Sequence, residues 1–281
     1  MNNWLLEPLQ FPFMRDAMIA GAVVAAMCAM LSCFVILKGW SLMGDAISHA
    51  VLPGIVLAYL TGIPLAVGAF ASGFTCALAT GYIRHNSRVK EDTVLGVVFT
   101  GLFAIGLVLH SRTESELHLD HILYGNILGI PQEIFWQVMG AGAVVVTAVL
   151  IWRRDLMLAA FDPSHARVLG LPVRVLDYGL LSLLVLAVVA ALQAVGIVLV
   201  IAMLITPGCI AYLWTDRFDR MMLIAVAAAV LSTLTGILVS YHIDGSTGAC
   251  IVLVQAAVFA LSFLFAPKHG VLLRRLGRAA H

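Results

Sequence analysis

Nine stretches of the chain are apolar for long enough to cross a membrane, near 17–37, 42–61, 64–83, 93–110, 133–152, 175–193, 195–214, 221–241 and 247–266. A hydrocarbon core about 30 Å thick takes roughly 20 helical residues. Inside lipid every backbone N–H and C=O must be satisfied within the segment or by a closed barrel, so runs of this length predict α-helices. The expected fold is all-α, a polytopic transmembrane helical bundle of eight or nine spans. Arg and Lys collect in the junctions 84–90, 153–174 and 216–220 and in the tail 268–278, whereas 111–121, 193–196 and 241–246 are poor in them. The positive-inside rule places the first set and the C-terminus in the cytoplasm; nine spans then put the N-terminus outside.

Two stretches break this pattern. The first, KGWSLMGDAISHAVLPG at 38–54, sets Asp45 and His49 inside an otherwise apolar run, followed by Pro53 and Gly54. Proline removes a backbone donor and crowds the preceding turn, so the helix is expected to bend or break just past His49. The second is the junction 153–174. Asp162 reads there as an N-cap, with Phe161 before it and Pro163 at the first helical position, and Gly170 and Pro172 close the segment around Ala166. A short helix lying on the cytoplasmic face is expected, with a plain connector as the other reading. No tandem repeat is visible, so the expected organisation is an interfacial segment 1–16, with Trp4, Phe11 and Phe13 at headgroup depth, one membrane domain 17–267 with coupling segment 155–174, and a cytoplasmic tail 268–281. The first residues lack a basic stretch leading into a short apolar core and cleavage site, so no removed signal peptide is expected.

Composition agrees with a membrane protein. Of 281 residues, 62% are hydrophobic and 11% charged, and the mean hydropathy is +1.04, far from a soluble domain. A net charge of +1 excludes a basic nucleic-acid binder. The five cysteines, Cys28, Cys33, Cys76, Cys209 and Cys250, lie in apolar runs without CxxC spacing, so they read as small buried residues.

On a helix, Asp45 and His49 share one face, one turn apart. An oxygen and an imidazole nitrogen suit Mn(II), Fe(II) or Zn(II) better than Ca(II) or Mg(II). The competing reading is a buried ion pair that fixes a helix. Two donors do not complete a site, so the rest must come from other helices, a second copy or water. Ser41, Gly44 and Ser48 are small neighbours that allow close approach, and Ser41, Ser48 and Pro53 are expected beside an ion's path. His118, Asp120 and His121 form a polar cluster in a loop on the outer side, read as a solvated loop or a metal-capture cluster. Gln193, His242 and Asp244 read as interfacial residues at outer span ends. His85, His110, His165, His269 and His281 carry no ligand pattern.

There is no GxxxxGK[ST], GxSxG, HExxH or GxGxxG run, so the chain has no recognisable means of hydrolysing ATP. Beyond Asp16 at the head of the first span, only Asp45 stands clearly inside one, which leaves little for proton coupling. The energy of any active transport is expected from a separate ATPase docked on the 153–174 segment.

The motifs GWSLMGDAISHAVLPG (39–54), DHILYGNILGI (120–130), FDPSHARVLGLPV (161–173), AMLITPGCIAYLW (202–214) and GSTGACIVL (245–253) closely resemble the membrane permeases of bacterial ABC importers for transition metals, the zinc/manganese/iron class. DAISHAVLPG is similar to the manganese/iron branch. The resemblance implies a multi-pass permease in the bacterial inner membrane that pairs with a second copy of itself. It also implies a cytoplasmic ABC ATPase on each copy, in which ATP is used, and a periplasmic or lipid-anchored metal-binding protein that delivers the ion. It carries the metal ligands onto Asp45 and His49 and the ATPase contact onto Phe161, Asp162, Pro163, Ala166, Gly170 and Pro172. No bound cofactor is expected; Mn2+ or Fe2+, then Zn2+, is cargo. The rivals from other classes are an intramembrane metal-dependent enzyme and a non-transporting sensor subunit.

Overall fold

The computed structural model describes residues 10–112 and 127–268, the side chains of Arg84, His85 and Glu91 excepted. The helices are α1 (Pro12–Lys38), α2 (Met43–Ala50), α3 (Leu52–Thr61), α4 (Leu65–Asn86), α5 (Glu91–Arg112), α6 (Gln132–Phe161), α7 (Pro163–Val168), α8 (Val173–Val195), α9 (Ile197–Trp214), α10 (Phe218–Ile243) and α11 (Thr247–Phe265). With α2 and α3 taken as one span, Met43–Thr61, nine helices among the described residues are long and apolar enough to cross a membrane. There is no strand among these residues.

Proline and glycine mark most of the boundaries. Pro12, Pro53 and Pro163 occupy the first turns of α1, α3 and α7, and Pro64, Pro131 and Pro172 stand at the N-caps of α4, α6 and α8, where no helical N–H is lost. Gly39, at φ +70°, ends α1: its N–H and that of Trp40 donate to the carbonyls of Ile36 and Val35. Pro207 is the exception, lying inside α9. Ser32 of α1 packs against that interruption, its hydroxyl accepting from the Gly208 N–H at 3.0 Å and donating to the Ile205 carbonyl at 3.3 Å.

The central helix is α1, packed by α6, α9 and α10 and touched by α8, with Met27, Cys28, Leu31 and Phe34 fully buried. α2 and α3 lie against α4 and α5, and α2 also reaches α8 and α9. Helices in lipid gain no hydrophobic energy from meeting each other, so close approach depends on small residues. At the α3–α4 contact a Cβ on Gly54 would stand 2.0 Å from the Gly68 carbonyl oxygen, and one on Gly68 would stand 2.2 Å from that of Gly54.

Several element ends differ from the sequence expectation. α1 begins at Pro12, so residues 12–16 are already helical and continuous with the first span. α6 runs on to Phe161, so Arg153 to Ala160, expected in the junction, extend the span as helix, and the non-helical part of that junction is short. The interruption of the second span falls at Val51, two residues before Pro53. Proline crowds the carbonyl four residues earlier, which here belongs to His49, so the disturbance lies on its N-terminal side. Val51 keeps helical torsions (φ −72°, ψ −19°), and Ser72 of α4 donates to the Ala50 carbonyl at 2.6 Å. Residues 1–9, 113–126 and 269–281 lie outside the described residues. Trp4, His118, Asp120, His121, His269, His281 and most of the DHILYGNILGI motif fall there.

Candidate metal site

The turn from Gly39 to Leu42 leads directly into α2: the Met43 N–H donates to the Trp40 carbonyl at 3.0 Å and that of Ala46 to the Leu42 carbonyl at 2.9 Å. Helical spacing then brings Asp45 Oδ1 to 3.4 Å from His49 Nε2. The two side chains are 36% and 30% exposed, so the pair is open on one side rather than sealed in the core. α2 itself is well held, with Met43, Ala46, Ile47 and Ala50 buried. Its neighbours come from the middle turns of other spans. A Cβ on Gly44 would stand 2.8 Å from Leu204 Cδ1 of α9, and one on Gly73 of α4 would stand 3.2 Å from Ile47 Cγ2 and 3.1 Å from Val185 Cγ1 of α8. The pair therefore sits at the mid-depth of the bundle.

Two aromatic side chains of α5 wall the imidazole. The Phe99 ring is stacked with its centroid 6.1 Å away and the Phe103 ring is edge-on at 5.3 Å. They fix the ring plane and keep apolar surface beside the two donors, which lowers the local dielectric and strengthens any ion contact. Sequence reading missed both. The i, i+4 spacing of two phenylalanines is visible in the span, but core packing produces the same pattern.

The flanking residues separate into different roles. Ser48 is buried and donates to the Gly44 carbonyl at 2.8 Å, so it serves its own helix. Ser41 is exposed in the turn before α2. Pro53 is buried against α5, where a Cβ on Gly106 would stand 2.9 Å from the Pro53 nitrogen. Among the described residues no group of three or more His, Cys, Asp and Glu side chains is placed to hold a metal. One chain thus offers an oxygen and a nitrogen donor here, and a transition metal asks for at least four.

On the side away from Phe99 and Phe103, α5 presents an open face. Val97, Gly101, Ala104 and Val108 recur at helical spacing and are exposed, Val97 at 69%. A Cβ on Gly96 or Gly101 would meet no atom of the described residues within 4 Å.

The other candidates lie at the bundle ends. Gln193 lines a cavity of about 400 Å3 with Glu133 and Gln137. His242 Nδ1 is 2.8 Å from the Leu238 carbonyl oxygen, and Asp244 caps α10 in the left-handed region at φ +51°. At the opposite end from these, Asp162 Oδ1 accepts the N–H groups of Ser164 at 3.0 Å and His165 at 2.9 Å and so caps α7. Pro163 opens this helix and Ala166 is fully buried under it. Gly170 turns the chain at φ +78°, and Pro172 caps α8. Phe161, Val168 and Leu169 leave their apolar side chains exposed around α7, Val168 at 83%. Ion pairs cluster at this same end: Lys38 with Asp177, Arg153 with Asp219, and Lys268 with Asp216.

Residues 10–266 match the sequence model of a family described as the ABC 3 transport family. The chain is 54% identical over 265 residues to a probable iron transport system membrane protein of Haemophilus influenzae, covering 94% of this chain and 98% of that one. It is 52% identical over 270 residues to the manganese transport system membrane protein MntB of Synechocystis sp., covering 96% and 88%. Among solved structures, a chain of PsaBC from Streptococcus pneumoniae in complex with Fab superposes with a TM-score of 0.87 at 36% identity, covering 97% of this chain and 98% of that chain.

Proposed function

This chain belongs to the ABC 3 transport family, as a multi-pass membrane permease subunit and not an enzyme, and on that premise we propose that it moves Mn2+ or Fe2+ inward across the bacterial inner membrane through the Asp45–His49 pair. The carrying observation is the pair itself: two donors 3.4 Å apart, held at mid-depth on a well-packed helix and left open on one side. An aspartate at this depth is unfavourable by about 2.5 kcal/mol or more on insertion scales, and a histidine beside it adds a second ionisable group. A role in ion passage accounts for the pair being there and for its open side.

Two further donors come from a second copy of the chain. The pair is left open by this chain, and on the side of α5 away from Phe99 and Phe103 the small residues Gly101 and Ala104 suit close approach of a further helix across a two-fold axis. The paired copies then present two carboxylates and two imidazoles to one ion. Such a set suits Mn(II), Fe(II) and Zn(II) alike, and zinc binds an N/O set more tightly than manganese does. The relatives described above are named for iron and manganese transport, which ranks manganese and iron before zinc. Passage needs binding weak enough for release, which a site assembled from two halves provides when the halves separate.

Energy enters at the α7 end. The chain has no phosphate loop, and α7 offers a capped short helix with exposed Phe161, Val168 and Leu169, a surface fit for a cytoplasmic ABC ATPase subunit. A metal-binding protein delivers the ion at the opposite face. Membrane vesicles containing the chain with its partner ATPase are expected to accumulate Mn2+ only with ATP. Unlabelled Fe2+ should compete in that assay more strongly than Zn2+. ATP-independent accumulation, or none with a working ATPase, would overturn the proposal.

The cap of α7 supplies a smaller prediction. Asp162→Ala removes the acceptor of two backbone N–H groups, and a lost N-cap costs about 1 kcal/mol of local helix stability. The variant is expected at normal abundance with a several-fold weaker affinity for the ATPase, read by co-purification, and Asp162→Asn should restore it. Equal ATPase recovery with Ala and Asp at this position would remove α7 from the docking surface.

A further inference from the structure

Lys38 and Asp177 lie 139 residues apart in sequence, yet the ammonium donates to Asp177 Oδ1 at 2.5 Å. The lysine side chain is only 10% exposed and the aspartate 28%. The same ammonium stands 4.8 Å from the ring centroid of Trp40, which is itself buried. A nearly buried cation held by a carboxylate on one side and an aromatic face on the other is fixed in position and not merely solvated.

Each partner belongs to a backbone segment with little slack. On the Asp177 side, the N–H groups of Leu169, Gly170 and Leu171 donate to the carbonyls of His165, Arg167 and Ala166, and those of Val175 and Leu176 donate to the Pro172 carbonyl. α7 and the first turns of α8 are thereby joined by a hydrogen-bonded turn, and Asp177 lies one turn into α8. On the Lys38 side, Gly39 and Trp40 close α1, and the Trp40 carbonyl accepts the Met43 N–H that starts α2. Asp45 follows two residues later.

We propose that the Lys38–Asp177 pair, with Trp40, is the mechanical link that carries displacement of α7 to α2 and so positions Asp45 and His49 during transport. The inference rests on the reading of α7 as the ATPase contact. Lys38 and Asp177 are positioning residues; neither is a metal ligand. A shift of α7 moves the first turns of α8, Asp177 moves with them, and the ammonium draws the 38–42 turn along. The turn is the base of α2, so the donors tilt relative to Phe99 and Phe103 of α5. The link needs no flexible loop between its ends.

The test uses the full transporter, permease with its ATPase, in liposomes, reading Mn2+ moved and ATP hydrolysed in the same preparation. Lys38→Met and Asp177→Asn are each expected to lower Mn2+ moved per ATP by about fivefold, the scale at which coupling networks respond to single changes. ATP hydrolysis should stay near its normal rate. Removing one partner leaves the other charge uncompensated in a nearly buried place, so the double variant Lys38→Met/Asp177→Leu, which removes both, provides the second reading. It should be about as poorly coupled as the single variants, and Lys38→Arg should keep most of the coupling. A normal ratio in the double variant, or parallel loss of hydrolysis and uptake in all variants, overturns the link while leaving the transport reading in place. A normal chain that shows no ATP-dependent uptake overturns both.

Discussion

Replacing Asp45 or His49 with Ala is expected to reduce ATP-dependent Mn2+ uptake by at least about 100-fold, since even outer-shell changes at metal sites cost 10- to 100-fold. Because the proposed site is built from two copies, each substitution removes two donors at once, leaving two where a transition metal asks for four. Protein abundance in the membrane should not change. Both side chains are about one-third exposed, and an ion pair so open contributes about 0 to 1 kcal/mol. The packing of α2 rests instead on Met43, Ala46, Ile47 and Ala50. Asp45→Asn, which keeps shape and one oxygen donor but loses the charge, should fall between. Uptake assayed against membrane abundance decides the matter. If both Ala variants transport normally, the pair is a structural ion pair and the proposed path is wrong.

The second large effect is structural. Gly54→Val is expected to abolish stable folding of the chain, read as loss of the monodisperse peak and of the melting transition in detergent. The added Cβ would overlap the Gly68 carbonyl at 2.0 Å and Ser72 Cβ at 2.6 Å. The first of these atoms is backbone and cannot turn aside, so α3 and α4 must separate. Overpacking typically costs about 1–3 kcal/mol, and a clash against backbone that cannot turn aside falls at or above the upper end. Separation would also break the Ser72 bond to the Ala50 carbonyl that braces the α2–α3 junction. Even Gly54→Ala should lower the melting temperature measurably, because its single methyl occupies the same overlap. A Gly54→Val chain that melts with the normal transition would mean that the α3–α4 contact is not as described.

Apolar length marked nine stretches and left eight or nine spans open, and nine helices among the described residues are long and apolar enough to cross, because transfer into lipid and backbone satisfaction act on each segment separately. Cap and turn chemistry determined the short α7 helix, since Asp162, Pro163 and Gly170 act on neighbours within a few residues. The i, i+4 spacing placed Asp45 beside His49 for the same reason. Helix ends were less legible at Pro12 and beyond Arg153, where amphipathic or charged residues continue a helix that the apolar run alone would stop.

Only the tertiary structure decided which face of each helix is covered. Ser48 turns inward to Gly44 while Asp45 and His49 stay open; Gly54 meets Gly68 backbone to backbone; Gly101 meets nothing among the described residues. Lys38 and Asp177 find each other across 139 residues. These pairings arise because helices in lipid associate through shape and a few polar contacts rather than through hydrophobic burial. Hydropathy is nearly the same all around such a helix, so the sequence marks where the spans run, and packing alone settles what they turn toward each other.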